Sequence, residues 1–325
     1  MAVRVGVVGV GVMGADHARK IATVVSGAEL VAVSDFDATV ADCVAAELGA
    51  RVHADGVALI EDDDVDAVII ATRDDTHAGL VRAALRVGKP VMCEKPLAPT
   101  AAESAALVQE QAGAELITVG FMRRFDPSYV ALRERVVRGE LGAPLVAHCI
   151  SRTVSAYPGG DSASSITNSA IHELDIVPWL LDSPIIEVSY QHGRSSANAG
   201  TRQDPQIYLL RTASDVLVTV ELFLNARYGY DTRCEIVMET GAVALTLPAH
   251  VVTDAERHRG VDYPADWILR YSDAYRIELQ EWVDSLNQRR SSTLAGAADG
   301  LRAAQVADAL VASMHSNGAW TAVAD

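Results

Sequence analysis

A glycine motif directly after the first apolar run constrains the fold more than any other feature. The run Val3–Val10 predicts a β-strand, and Gly9, Gly11 and Gly14 have the spacing G-x-G-x-x-G before a helical pattern. Gly9 permits a tight turn, Gly11 lets a pyrophosphate approach the backbone, and Gly14 allows close packing of helix on strand. The motif therefore predicts a strand, loop and helix that bind a dinucleotide.

The second predicted strand ends at a carboxylate, which supports this interpretation. Asp35 lies about 20 residues after the last motif glycine, where a carboxylate binds the adenosine ribose hydroxyls. The Asp35 carboxylate would repel a 2′-phosphate, and the next residue is Phe36 rather than an Arg that could bind one. NAD is therefore expected rather than NADP. Val12 and Met13 would add backbone amides of the first helical turn. A glycine-rich turn without a ligand is the alternative.

Short β-branched runs alternate with helical patterns through residues 1–122, which is typical of a doubly wound parallel sheet. The predicted strands are Val3–Val10, Leu30–Ser34, Ala67–Ala71, Pro90–Cys93 and Leu116–Phe121. The predicted helices are His17–Val25, Thr39–Leu48, His77–Val87 and Ala101–Ala112. We therefore expect an α/β fold that begins with a Rossmann domain over residues 1–122.

The pattern changes in residues 123–325. The predicted strands are Leu145–Arg152, Ile186–Gln191, Ile207–Arg211, Val216–Leu224, Arg233–Glu239 and Ala242–Leu247. The predicted helices are Ser128–Arg138, Ala170–Leu181, Trp267–Asn287 and Ala297–Ser313. Because the later strands follow one another too closely for helical crossovers, we expect a second α/β domain with a mostly antiparallel sheet.

Composition excludes several classes of partner. The chain has 27 Lys plus Arg against 43 Asp plus Glu, a formal charge of −16, which disfavours nucleic acid and anionic membranes. No apolar run approaches the roughly 20 residues that span a bilayer. The four cysteines form no CxxC pair, so neither a zinc site nor a disulfide framework is indicated. A cytoplasmic protein without a metal is expected.

Lysine is rare in this chain, and one lysine occupies a chemically suggestive place. Lys20, Lys89 and Lys95 are the only three lysines. Lys95 follows a predicted parallel strand, and ligands bind beyond the carboxyl ends of such strands. Its ammonium could stabilise an alkoxide that develops as a hydride leaves. A surface lysine in a salt bridge is the alternative, and Glu94 could either orient Lys95 beside the cofactor or pair with an arginine.

Two polar residues flank a histidine in the second part of the chain. At about 100° per residue, Asn168, His172 and Asp175 would share one face of a helix. A histidine with such neighbours can act as a general base whose tautomer they hold. A capping histidine, or one satisfied in the core, would give much the same local pattern.

Together these residues and several longer segments resemble the Gfo/Idh/MocA oxidoreductases, and within them the inositol dehydrogenases. The resemblance runs nearly end to end and includes GVMGADHA, VMCEKPLAPTA, VGFMRRFDPSYVAL, IHELDIVPWL, NARYGYDTRCEIV and DWILRYSDAYRIELQEWVDSL. It implies a Rossmann domain followed by an α/β domain whose open sheet assembles dimers or tetramers. It also implies oxidation of a ring hydroxyl of inositol or a related cyclitol, with hydride transfer to NAD.

The resemblance also assigns roles to individual residues. The catalytic lysine and histidine of the family match Lys95 and His172. The substrate residues of the family match Arg123, Asp175, Tyr228 and Tyr230. The chain departs from the inositol enzymes at two positions, with Asn168 where they have an aspartate and Ser151 where they have a histidine. Asn168 can bond His172 but cannot stabilise an imidazolium as a carboxylate does, so the two departures bear on which cyclitol the pocket accepts.

Three other functions are compatible with the sequence. The chain could oxidise a sugar instead of a cyclitol. It could be an NAD-using glycoside hydrolase or lyase, in which the cofactor is regenerated within each turnover. It could be a cofactor-sensing regulator without catalysis, although the presence of both Lys95 and His172 argues against that.

Overall fold

The computed structural model describes residues 2–246 and 251–324. It divides the chain into two compact units, of which the first comprises Met1–Phe125 and Asp273–Ala304. The second unit comprises Asp126–Ser272 and Gln305–Asp325. The segment Asp273–Ala304 thus belongs to the first unit, whereas the sequence pattern grouped it with the second domain.

Strands and helices of the described residues follow one another along the whole chain. The strands are β1 (Val3–Val8), β2 (Ala28–Ser34), β3 (Arg51–Val52), β4 (Ala67–Ile70), β5 (Val91–Glu94), β6 (Ile117–Gly120), β7 (Pro144–Arg152), β8 (Ile185–Gln191), β9 (Gln206–Thr212), β10 (Leu217–Phe223), β11 (Asp231–Met238), β12 (Gly241–Ala244), β13 (Thr253–Ala255), β14 (His258–Gly260), β15 (Ala295–Gly296) and β16 (Thr321–Ala322). The α-helices are α1 (Val12–Thr23), α2 (Ala38–Leu48), α3 (Gly56–Glu61), α4 (Asp74–Arg86), α5 (Ala101–Glu110), α6 (Pro127–Arg138), α7 (Ser162–Ser164), α8 (Ile171–Leu181), α9 (Trp267–Arg270), α10 (Ser272–Gln288) and α11 (Ala297–His315). A 3₁₀ turn, Met122–Phe125, and a π-helical segment, Ser165–Ala170, complete them.

The first unit contains a parallel sheet in the order β3-β2-β1-β4-β5-β6, with β15 antiparallel to β6 at the edge. Helices connect its successive parallel strands, as expected for right-handed crossovers. The strand order reverses between β1 and β4, which is where doubly wound sheets bind ligands at the carboxyl ends of their strands. The predicted Rossmann fold is confirmed.

Helix α10 joins the first unit because its apolar face completes that unit's core. Leu279, Trp282 and Val283 are at most 1% exposed and lie in one cluster with Val7 and Ile21. Side chains of this size stabilise a fold by about 1.5–3 kcal/mol each when they are fully buried. This packing explains why a segment late in the sequence returns to the first unit.

The second unit contains a sheet in the order β12-β11-β7-β10-β9-β8-β16. Its neighbouring strands are antiparallel except β7 and β10, so the mostly antiparallel sheet is confirmed. The predicted strand Ala242–Leu247 corresponds to β12, and Leu247 lies outside the described residues. None of the helices in the described part of the chain has the length and apolar character to cross a membrane.

Two predicted helices differ most from the structure in their limits. Helix α1 begins at Val12 rather than His17, so the last motif glycine lies inside it. The predicted helix Trp267–Asn287 is divided into α9 and α10 at Tyr271, whose φ of −113° interrupts it. Tyr271 is fully buried and its hydroxyl lies 3.0 Å from Thr232 Oγ1, so a tertiary contact coincides with the break. Strand β3 was not predicted, because its two residues are too few to show a periodic pattern.

Candidate active site

Steric contacts of the backbone explain two of the three motif glycines. Gly9 has a φ of +82°, and a Cβ there would lie 2.7 Å from the carbonyl oxygen of Ala71. A Cβ on Gly14 would lie 1.7 Å from the carbonyl oxygen of Gly9. Both positions therefore require glycine for the loop to fold against β4 and the first turn of α1.

Gly11 differs, because a Cβ there would meet nothing within 4 Å. It is exposed and is the N-cap residue of α1, with an ordinary φ of −65°. The space beside it is bounded by the first helical turn, which begins with Val12 and Met13. An open cradle of backbone at a helix N-terminus fits the pyrophosphate of a dinucleotide, as the motif predicted.

Asp35 is held beside this loop by its own hydrogen bonds. Its Oδ2 accepts from the Val10 amide at 2.7 Å, and its Oδ1 accepts from the Asp37 amide at 3.0 Å. Each carboxylate oxygen keeps a second lone pair for a ribose hydroxyl. Phe36, beside it, is fully exposed and presents no cation to a 2′-phosphate. The residues present fit NAD.

Glu94 ends β5, and its partner is a histidine rather than the arginine that the sequence left open. Its Oε1 lies 2.8 Å from Nε2 of His17, on α1, and its Oε2 accepts from the Lys95 amide at 3.2 Å. Burial raises the pKa of Glu94, but the hydrogen bond with His17 and the nearby charge of Lys95 favour the carboxylate, and its pKa lies below the usual range. Glu94 is thus a buried carboxylate.

Lys95 follows β5 and is the first residue beyond the strand. Burial lowers the pKa of its ammonium, and the nearby charge of Arg123 lowers it further, although Glu94 and Asp74 oppose the shift. Arg123 lies in the 3₁₀ turn Met122–Phe125 and is 2% exposed. An ammonium with a lowered pKa exchanges its proton more readily and suits acid–base work at a carbinol oxygen.

The histidine of the second unit lies on an ordinary α-helix, but Asn168 does not. His172 and Asp175 are three residues apart on α8, where they share a face. Asn168 belongs to the π-helical segment Ser165–Ala170, so the angle of 100° per residue does not apply between it and His172. Asp175 is 3% exposed, and both His172 and Asn168 are partly exposed.

Ser151 and the hydrogen-bond partners of Tyr228 lie on neighbouring strands of the second sheet. Ser151 is buried on β7, opposite Thr232 of β11. The Tyr228 hydroxyl donates to Asp231 Oδ2 at 2.5 Å and accepts from Arg152 at 3.0 Å. Because successive side chains of a strand alternate, Arg152 faces away from the side of Ser151. The Tyr228 hydroxyl therefore bonds a side chain of the face opposite to that of Ser151.

Tyr230 is 6% exposed and packs edge-on against Tyr271, with 6.0 Å between ring centroids. Its backbone amide donates to the carbonyl of Pro264 at 2.9 Å. The ring therefore packs against another buried ring, and the backbone beside it is held by a hydrogen bond. A rigid aromatic ring of this kind can support a polyol whose hydroxyls bond elsewhere.

Sequence patterns missed several buried polar residues. His17 and His77 are at most 1% exposed and bond the segment around Lys95. Asp126 caps α6 and pairs with Arg270 at 2.6 Å, and both side chains are buried. A histidine on an apolar helix face is the signal that could have identified His17. Among the residues that the structure describes, no group of three or more His, Cys, Asp or Glu is placed to hold a metal ion.

Comparison with known families identifies both parts of the chain. Residues 3–121 match a family described as an oxidoreductase family with an NAD-binding Rossmann fold, GFO_IDH_MocA. Residues 129–244 match the GFO/IDH/MocA C-terminal domain. The two matches together cover most of the chain.

Individual relatives cover the whole length. The chain is 49% identical to inositol 2-dehydrogenase 2 of Paenarthrobacter aurescens, over 99% of each chain. It is 47% identical to inositol 2-dehydrogenase 1 of Saccharopolyspora erythraea, over 95% of this chain and 93% of that protein. Among solved structures, a myo-inositol dehydrogenase of Lactobacillus casei in complex with NAD(H) and myo-inositol has a TM-score of 0.95 at 31% identity. That match covers 100% of this chain and 98% of the other.

Proposed function

The chain belongs to the Gfo/Idh/MocA oxidoreductase family, and from this membership we propose that it oxidises a ring hydroxyl of an inositol with NAD. The observation that carries the proposal is the identity of 49% over 99% of the chain with an inositol 2-dehydrogenase. The alignment therefore covers both units of the chain. The first unit would bind NAD, and the second would supply most of the side chains that bind substrate.

The glycine loop and Asp35 would hold the cofactor. Backbone amides at Gly11, Val12 and Met13 would bind the pyrophosphate, and Asp35 would bind the adenosine ribose. Glu94 would lie beside the nicotinamide end, since it ends a central parallel strand. When bound, NAD supplies the hydride acceptor. The net charge of −16 gives no long-range attraction for this anion, so capture would depend on these local amides.

Lys95 and His172 would carry out the proton chemistry. His172 would remove the proton of the substrate hydroxyl as a general base. Lys95 would donate a hydrogen bond to the same oxygen and stabilise the negative charge that develops there. Asn168 would bond His172 without the charge that an aspartate would supply at that position.

The remaining hydroxyls of the polyol would be bound by Arg123, Ser151, Asp175 and Tyr230. These four side chains are at most 6% exposed, so a polyol bound by them would lose contact with water and would need each of its own hydroxyls paired. A role of Tyr228 in substrate binding stays a prediction. Its hydroxyl already donates to Asp231.

Appearance of NADH in the presence of a panel of cyclitols and sugars tests the function. The panel contains myo-inositol, scyllo-inositol, an aminocyclitol and several hexoses. We expect NADH to accumulate with one or more inositols. Accumulation with hexoses alone would contradict the inositol assignment, and bond cleavage of a glycoside without NADH would indicate the hydrolase or lyase reaction instead.

Lys95→Ala and His172→Ala test the two catalytic assignments. Each should lower kcat by roughly 10²–10⁴ if it acts as stated. Lys89→Ala is a matched control, because the Lys89 ammonium donates to the carbonyls of Ile60 and Asp62 at 2.7 and 2.6 Å. Near-normal kcat in either test variant would refute the role of that residue.

We also propose a homo-oligomer, either a tetramer or a dimer, formed through the open face of the second sheet. Alternate residues of β7, β9 and β10 are buried, whereas the intervening Ile150, Leu209 and Phe223 stay partly exposed. A mass of 34.5 kDa by light scattering would contradict assembly, because it is that of a single chain. A cytoplasmic location is a proposal too, and it is supported by four cysteines that form no disulfide.

A further inference from the structure

The segment that carries Lys95 has no secondary structure of its own. Strand β5 ends at Glu94, and residues 95–100 lie between it and α5 without helix or strand. A flexible segment would spread the ammonium over several positions, and misplacement by about 1 Å can reduce a rate about 100-fold. The position of Lys95 must therefore be fixed by contacts outside the sheet.

On the amino side of Lys95, that contact is His17. His17 is fully buried, and its Nε2 lies 2.8 Å from Glu94 Oε1. No hydrogen-bond partner is found for its Nδ1 among the described residues, so the proton belongs on Nε2 and is donated to the carboxylate. The other carboxylate oxygen accepts the Lys95 amide at 3.2 Å. Glu94 thus links α1 to the backbone of Lys95.

On the carboxyl side, the contact is His77. This residue of α4 is 1% exposed, and its Nδ1 donates to the carbonyl of Pro96 at 2.8 Å. Its Nε2 lies 3.2 Å from the carbonyl of Thr72, in the loop after β4. His77 therefore connects the loops that follow two neighbouring strands. The bond of His17 to Glu94 and the bond of His77 to Pro96 thus reach the residues directly before and after Lys95.

We propose that His17 and His77 are positioning residues, which clamp the backbone on both sides of Lys95 so that its ammonium is presented to the substrate oxygen. Neither histidine touches substrate in this proposal. It rests on the catalytic role given to Lys95 above.

Amide substitutions distinguish the two ring nitrogens of each histidine. The amide nitrogen of Asn is attached to Cγ, like Nδ1 of His, whereas that of Gln lies one bond farther, near the position of Nε2. For His77 we expect His77→Asn to keep turnover and His77→Gln to lower kcat about 10- to 100-fold. For His17 we expect the reverse, with His17→Gln active and His17→Asn impaired. The NAD dissociation constant should change less than about threefold in all four variants.

Thr118→Val is the matched control. Thr118 Oγ1 donates to the Val91 carbonyl at 3.1 Å, at the opposite end of β5. The substitution removes one buried hydrogen bond from the same unit, and its kcat should be unchanged. A fall in kcat as large as that of His77→Gln would overturn the proposal, because any lost bond would then have the same effect.

The rarity of lysine gives a second readout that does not depend on activity. Reductive methylation with isotope-labelled formaldehyde yields NMR signals from three lysines, and Lys95→Arg identifies the signal of Lys95. We expect His77→Gln to move or broaden that signal and to leave those of Lys20 and Lys89 in place. An unmoved Lys95 signal, or equal kcat in His77→Asn and His77→Gln, would overturn the proposal. Normal turnover of Lys95→Ala would instead refute the role of Lys95 and this inference with it.

Discussion

Replacing Gly11 by alanine should weaken NAD binding without unfolding the protein. The methyl group would enter the open space beside the first turn of α1, where a Cβ would meet nothing within 4 Å among the described residues, apart from its neighbours in the chain. Ala is a poorer N-cap residue than Gly, so stability should fall by no more than about 1 kcal/mol. Gly14→Ala differs, because its Cβ would lie 1.7 Å from a backbone oxygen, and it should unfold the loop.

The expected loss of affinity follows from the bonds that the methyl displaces. A pyrophosphate pushed away from Gly11 loses one backbone hydrogen bond, and a bond to a charged group is worth about 1.5–3 kcal/mol. Since about 1.4 kcal/mol changes a dissociation constant tenfold, the constant for NAD should rise about 10- to 100-fold.

Calorimetric titration with NAD and thermal unfolding measure the two effects separately. Gly79→Ala is the matched control, because Gly79 is exposed on α4 and a Cβ there would also meet nothing within 4 Å. That variant should bind NAD normally and gain up to about 1 kcal/mol of helix stability. Normal NAD affinity in a folded Gly11→Ala would refute the assignment of the loop as the pyrophosphate site.

Three further predictions concern stability and pH. Asp126→Asn should cost about 3–5 kcal/mol of unfolding free energy in denaturant titration, because it leaves Arg270 buried without a charge partner, and a loss below about 1 kcal/mol would contradict this. Lys95→Met should raise Tm at pH 7, because burial lowers the pKa of Lys95 and the charged ammonium destabilises the fold below that pKa. The gain in Tm should vanish as pH rises past 10.5, the ordinary pKa of lysine, where the side chain is neutral in the unfolded chain too. Asn168→Asp should shift the acid limb of the kcat/KM profile to higher pH if residue 168 contacts His172, because a carboxylate raises the pKa of a neighbouring imidazole. An unchanged profile would exclude that contact.

Local signals made the first unit predictable. The glycine motif, the carboxylate at the end of β2 and the apolar strands of the sheet all occur within short segments, and each corresponds to a single physical requirement. Lys95 could be placed because the carboxyl end of a parallel strand has a known relation to ligands. These features need no information about distant residues.

Contacts between distant residues were not predictable. His17 and Glu94 are 77 residues apart, and nothing near Glu94 distinguishes a histidine partner from an arginine. The wider turn at Asn168 depends on how one segment of backbone packs, so its angle to His172 could not be taken from helical spacing. The break at Tyr271 likewise coincides with a partner, Thr232, on a strand far earlier in the chain.

The core of the first unit cannot be completed early in synthesis. Leu279, Trp282 and Val283 fill it, and β15 pairs with its edge strand β6, yet all of them emerge from the ribosome long after the glycine loop. Until then the nascent chain exposes an apolar surface and an unpaired strand edge, both of which favour aggregation. Residues 1–125 produced alone should therefore be poorly soluble. During synthesis, the first unit should depend on chaperones until the segment Asp273–Ala304 has been translated.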